Sequence, residues 1–298
     1  MGVHQFRRHL SNKAHFVWMI VALVLVLTLP LLLGIGLYLK STLLLYDHGI
    51  AKILFSSQWQ PMSGKFGLLA FIVSSIIVTF LAIAIAAPIC LFSAIHLTQY
   101  AHKEVLKIMH PVIDILAGIP SVIFGVWGIL IIVPFISQYV APLFGVQTSG
   151  YSILAGAAVL SVMITPFILN VLIEVFRAIP LELSEASLAL GATRWQTIKH
   201  VLVRKAYPGI VAAFGLGISR AFGETIAVLM VVGNVVNIPT GVFQPGYPLP
   251  ALIANNYGEM LSVPMYQSAL MFSALVLLVV VIIFNMASRI TIARLEFK

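Results

Sequence analysis

Charge is what this sequence has least of. Of its 298 residues only 9% are charged and 61% are hydrophobic, and mean hydropathy is +1.08. Soluble domains carry roughly a quarter charged residues, so a water-facing globular protein is excluded and a polytopic membrane protein is expected. Cysteine is almost absent. Cys90 stands alone in an apolar run, which excludes an internal disulfide framework and leaves a buried, inert thiol as the expected state. No HExxH pattern occurs, and His9, His15, His96, His102 and His110 lack the spacing of a compact metal site, so neither metal nor other cofactor is expected. No GxxxxGK[ST] loop occurs, so ATP is not expected to bind this chain in that way. The 17 Lys and Arg against 9 acidic residues would suit nucleic acid in a soluble protein. In a membrane protein they are better read as flanks that orient the spans, and no nucleic-acid partner is expected.

What the sequence has in abundance is long apolar runs. The first, 16–39, can cross a ~30 Å hydrocarbon core, and no small-residue cleavage site follows a short apolar region as in a signal peptide. Further spans are expected at about 66–97, 112–136, 151–176, 207–233 and 266–287. Residues 100–109 read as a short interfacial helix. In LAGIPSVIFGVWG (116–128), Gly118, Pro120, Gly125 and Gly128 mark close packing or a broken helix. The expected fold is all-α membrane with six transmembrane helices. Residues 1–65 form an N-terminal tail, first helix and outer loop, and 66–298 a core of five helices. Arg7, Arg8, Lys13, Lys103, Lys107, the loop 177–205 and Arg289, Arg294 and Lys298 fall on one side, and only Lys40, Lys52 and Lys65 on the other. The positive-inside rule then puts both termini and 177–205 in the cytoplasm, with 138–150 and 234–264 facing outward.

The loop 177–205 is a polar island in this greasy chain. Pro180 fits the first position of a helix, 181–190 are good helix formers, and Gly191 suits a left-handed cap. Thr193-Arg194-Trp195-Gln196 matches a capping box, so a helix–turn–helix with a smooth face of Ala186, Ser187 and Ala189 is expected. A docking element and a solvated connecting loop both fit. The fifth span carries Arg220, with Glu224 a helical turn further on the expected same face. An intramembrane arginine costs on the order of 3 kcal/mol or more, so it is a functional candidate; an ion pair that only locks helix packing is the alternative. Gly209, Ala213, Gly217 and Ala221 recur every four residues, which permits tight helix contact or leaves room for a pathway.

Glu185-Ala186-Ser187, three residues, then Gly191 resembles the EAA---G signature of ABC-importer permeases. Arg204 stands where that pattern carries proline, so the resemblance does not specify the turn into the fifth span. The 116–128 stretch, SRAFGETIAVLMVVGN (219–234), FQPGY (243–247) and LIANNYGE (252–259) look like phosphate-uptake permeases, the PstC type more than its PstA-type sister. The resemblance covers the chain from about Trp59 onward. It implies a type I ABC-importer permease in the inner membrane, moving inorganic phosphate, with no enzymatic activity of its own. Glu185, Ala186, Ser187 and Gly191 would couple to the ATPase, and Arg220 and Glu224 would line the substrate pathway. It also implies two ATPase subunits, a PstA-like second permease and an extracytoplasmic phosphate-binding protein as partners, besides membrane lipid. A permease for sulfate or molybdate is the nearest alternative. An ion-coupled secondary transporter would be expected to show internal repeats, and none stands out.

Overall fold

A computed structural model describes the backbone of residues 3–258 and 262–296, and the side chains of 15–102, 104–258 and 262–290. The side chains of Arg7, Arg8, Lys13, Lys103, Arg294 and Lys298, and all of Glu259, lie outside it. Among the described residues, six helices are long and apolar enough to cross a membrane: His15–Asp47, Leu69–Tyr100, Ser121–Leu143, Ile153–Arg177, Arg194–Phe222 and Pro264–Ile290. They are called spans 1 to 6 below.

Span 4 is the hub. It is apolar on every side (Ala155, Leu160, Ile164, Ile168, Leu172 and Ile173 are buried), so it suits the centre of a bundle rather than its rim. Span 2 packs along it, and span 5 packs against both. Spans 1 and 6 pair beside this core, and span 6 also touches span 5. Span 1 exposes most of its length, including Trp18, Leu27 and Leu31. Its far end turns inward: Leu44 joins Ile53, Phe66, Phe71, Tyr247, Leu252 and Leu270 in a second apolar cluster. Cys90 is buried in span 2, its thiol directed at the Thr165 carbonyl 3.6 Å away.

The third expected span shifts along the chain. Residues from Lys103 to Gly118 form a separate amphipathic helix, and span 3 begins only at Ser121 and runs to Leu143. Pro120 is the cause, since it holds Ile119 in an extended conformation (φ −65°, ψ 128°) and stops the first helix there. Gly125 and Gly128 serve close packing: a Cβ at Gly125 would lie 2.5 Å from Met230 Sδ, and one at Gly128 2.6 Å from Val159. The loop expected at 138–150 shrinks accordingly, because its first half is helical.

The largest correction concerns 223–256, expected as the end of span 5 followed by an outward loop. The span 5 helix stops at Phe222, and the chain then folds back into the bundle. A short helix at Ile226–Leu229 precedes Gly233 (φ 95°) and Asn234 (φ 53°), and Tyr247, Leu249, Ala251 and Leu252 are buried. Hydrogen bonding explains why this segment stays inside. The first N–H groups of span 4 have no partners within their own helix. Ser152, Ile153 and Leu154 donate to the carbonyls of Val231, Gln244 and Val242 at 3.2, 2.9 and 2.9 Å, and Ala155 donates to the Ser152 hydroxyl. In return, Tyr247 and Leu249 N–H donate to the hydroxyls of Ser74 and Ser75 in span 2 at 3.2 and 2.7 Å. Non-helical backbone at membrane depth requires such satisfaction from surrounding protein.

Candidate functional site

The site candidates lie along one stretch of chain, 181–224. Its exposed end is the helix Leu181–Ala189, entered from Pro180 as N-cap and carrying Glu182 in the first turn, where a carboxylate favours the helix dipole. The helix closes as expected at Gly191, whose φ of 85° is left-handed. Gly191 N–H donates to Leu188 O at 2.9 Å and Ala192 N–H to Ser187 O at 3.3 Å, the paired bonds of a Schellman cap. A Cβ at Gly191 would meet nothing within 4 Å, so glycine is required by the backbone and not by space. The capping box forms: Gln196 N–H donates to Thr193 Oγ1 at 3.3 Å, and Thr193 N–H to Gln196 Oε1 at 2.8 Å.

Glu185 and Ala186 are exposed, as are Leu181 and Leu190 at 76% and 90%. An exposed helix with such leucines at both ends presents an apolar surface left uncovered by the described residues. Ser187 faces inward instead. Its hydroxyl shares a 2.9 Å hydrogen bond with that of Thr197, which is buried. Reading Ser187 as merely a small residue missed this bond, because the sequence does not show that residues ten apart meet across the turn.

The second helix of the expected helix–turn–helix is not a separate element. Arg194–Thr197 runs through a π-helical turn at Ile198–Leu202, with Ile198 and Leu202 buried, into Val203–Phe222. Arg204 therefore sits inside an unbroken helix, and the island is joined rigidly to span 5.

The small residues of span 5 are spent on packing. A Cβ at Gly209 would lie 2.5 Å from Val175, and one at Gly217 2.6 Å from Ile168, both in span 4; Ala213 and Ala221 are buried. Of the two readings of this stripe, tight helix contact is the one realised. Gly215 meets Ser288 of span 6 in the same way.

Arg220 stands in the last turn of the span 5 helix rather than at its middle. Its side chain is exposed, with Cζ 5.0 Å from the ring centroid of Phe167 in span 4, a cation–π distance. The helix C-terminus also favours a cation there. Glu224 follows the helix break at Gly223, so the two side chains do not share a helical face, and no ion pair joins them. Among the described residues the ion pairs are Lys107–Glu104 and Arg177–Glu174, both at the surface. Glu224 is half-buried, accepts from Ala227 N–H at 3.3 Å, and faces a narrow cleft with Ser75, Thr79, Leu160, Pro248 and Pro250. Among the described residues, an arginine in a membrane-length helix thus rests on an aromatic face, and the carboxylate four residues on is held by backbone.

Residues 86–296 match the family model of the binding-protein-dependent transport system inner membrane component. The chain belongs to this family. It is a multi-pass inner-membrane permease, a transport subunit rather than an enzyme. The family implies that an ATPase and a binding protein work with it. Among curated relatives, the probable ABC transporter permease protein YqgH of Bacillus subtilis is 41% identical over 81% of this chain and 78% of its own length. The phosphate transport system permease protein PstC of Xylella fastidiosa (strain 9a5c) is 33% identical over 82% of this chain and 79% of its own. That of Mesorhizobium japonicum is 32% identical over 93% and 88%. In fold, the permease resembles a chain of a bacterial ABC transporter that imports alginate (TM-score 0.61, 14% identity, 96% of this chain and 98% of that one). It also resembles a chain of the MetNI methionine ABC transporter (TM-score 0.54, 22% identity, 80% and 99%).

Proposed function

We propose that this permease forms part of the pathway by which an ATP-driven importer moves inorganic phosphate, and that Arg220 is the residue the anion meets. The observation that carries the proposal is the state of Arg220. A guanidinium in a membrane-crossing helix, with an aromatic ring as its only partner among the described residues, is too costly to leave facing lipid. A polar pathway between permease subunits removes that cost. Arginine's forked donors suit a tetrahedral oxyanion, and relatives spanning most of the chain bear the name phosphate transport system permease. Glu224, tethered by the Ala227 N–H, would limit how long the anion stays near Arg220.

The orientation we infer has 177–205 and both termini in the cytoplasm. Arg177, Arg194, Lys199, Arg204 and Lys205 cluster at that end, against Lys40, Lys52 and Lys65 at the other. Glu185, Ala186, Ser187 and Gly191 would then form the docking helix for a separate ATPase, and the exposed Leu181 and Leu190 supply apolar surface for it. Two ATPase subunits, a PstA-like second permease and an extracytoplasmic phosphate-binding protein complete the assembly in this reading. Residues 1–65 would be an accessory to the permease core of 66–298. The test is uptake into vesicles containing the full assembly. Phosphate accumulation should require both ATP and the ATPase, and sulfate or molybdate should not replace phosphate. Uptake by this chain alone without ATP would overturn the reading.

A further inference from the structure

At the end of the bundle opposite 181–191, span 1, the short helix Ile50–Phe55 and a two-stranded hairpin (Trp59–Gln60 with Lys65–Phe66) enclose a cleft of about 280 Å³. We propose that this cleft holds the phosphate-bearing headgroup of an anionic phospholipid. The proposal is independent of what the permease transports.

Charge is the first argument. His48, Lys52, Ser56, Gln58, Lys65 and Gly67 are among the residues that line the cleft. Two of the three lysines at this end thus face one small space, and neither has an acidic partner among the described residues. Lysine ammonium groups on flexible stems bind phosphate as point charges and need no fixed geometry.

Rigidity is the second. His48 Nε2 lies 2.8 Å from Gly64 O, Gly67 N–H donates to Gln58 O at 2.8 Å, and Leu68 N–H donates to Ile53 O at 2.8 Å. Gly67 has no room for a side chain, since a Cβ there would collide with the Ser56 carbonyl. Beneath the cleft, Ile53 and Phe66 are buried, and Phe66 meets Trp59 edge-on at 5.7 Å. The two lysines therefore extend from a backbone that the sequence has already fixed.

The rim decides which phosphate. Tyr46, Phe55 and Met62 are 90%, 74% and 86% exposed, and Ile50, in the same short segment of chain, is exposed too. A site for free phosphate gains nothing from four exposed apolar side chains. A cationic cleft whose enclosing elements carry exposed apolar side chains, at the end of a membrane bundle, matches the boundary where headgroups meet acyl chains.

The experiment uses the full chain in its transporter assembly, reconstituted in nanodiscs of phosphatidylcholine with phosphatidylglycerol, with retained lipid read by native mass spectrometry. Phosphatidylglycerol retention should fall roughly thirtyfold in Lys52→Gln/Lys65→Gln, from two lysines lost at an anionic surface. It should stay unchanged in Lys40→Gln, and millimolar inorganic phosphate should not displace the lipid. Both lysines are exposed, so the variants should assemble; Phe55→Ser/Met62→Ser tests the rim separately and should also lower retention. Equal retention by wild type and Lys52→Gln/Lys65→Gln, or displacement by inorganic phosphate, would overturn the proposal.

Discussion

At its exposed end, the segment 181–224 is closed by bonds between near neighbours: the Gly191 cap, the Thr193–Gln196 box and the Ser187–Thr197 hydroxyl pair. At its membrane end, the local bond from Ala227 N–H to Glu224 is joined by contacts with distant elements. Arg220 is placed against Phe167 of span 4, and Glu224 against Ser75 of span 2 and the folded-back Pro248 and Pro250. One continuous helix joins the two ends. A docking surface that holds its own shape can transmit force through that rod, whereas a charged end that depends on three other elements moves when they move. Damage at the exposed end should therefore be local and graded, and damage at the membrane end should separate sharply into loss of charge and loss of packing.

The largest expected effect tests the membrane end. Arg220→Gln should abolish phosphate uptake while the permease still inserts and assembles, because Arg220 is exposed and rests on the Phe167 face rather than in the core. Normal uptake in that variant would remove Arg220 from the pathway. Gly217→Val should do the opposite. A side chain there collides with Ile168, and overpacking of this kind costs roughly 1–3 kcal/mol, so yield and thermal stability of the purified assembly should fall together with uptake. If the two variants behaved alike, the distinction between the charged face and the small-residue face would collapse.

Smaller effects belong to the exposed end. Gly191→Ala should cost about 1–2 kcal/mol through the left-handed backbone alone. ATPase association should weaken in a pull-down, with membrane insertion unchanged. Thr193→Ala and Ser187→Ala should each cost about 1 kcal/mol, for a lost N-cap and a lost hydroxyl bond. A double mutant of Ser187 and Thr197 gives the coupling between them directly, and strict additivity would argue that the hydroxyl pair contributes nothing.

How much was legible follows the same division. The capped turn at Gly191 and Thr193 was readable because its signals lie within a few residues of the bonds they make. The six spans were readable as apolar length. The course of 223–256 was not, although Pro239, Pro245, Pro248 and Pro250 warned against regular structure there. Its partners, Ser74, Ser75 and the first turn of span 4, lie far away in sequence. The start of span 3 was misplaced because 112–118 is apolar on the outer face of an amphipathic helix (Val112, Ile115 and Leu116 are exposed), which hydropathy alone reads as a span.

Composition by itself determined that this chain crosses a membrane many times, since so few charges cannot solvate a surface of this size. Local sequence determined the docking turn, because left-handed glycine and side-chain caps act over a single turn of helix. Only the tertiary structure decided that span 5 ends at Phe222 and that Arg220 and Glu224 part company there. The helix closes locally, with Gly223 and Glu224 N–H both directed at Ala221 O, but the chain beyond it stays inside because residues 231–249 find hydrogen-bond partners on spans 2 and 4.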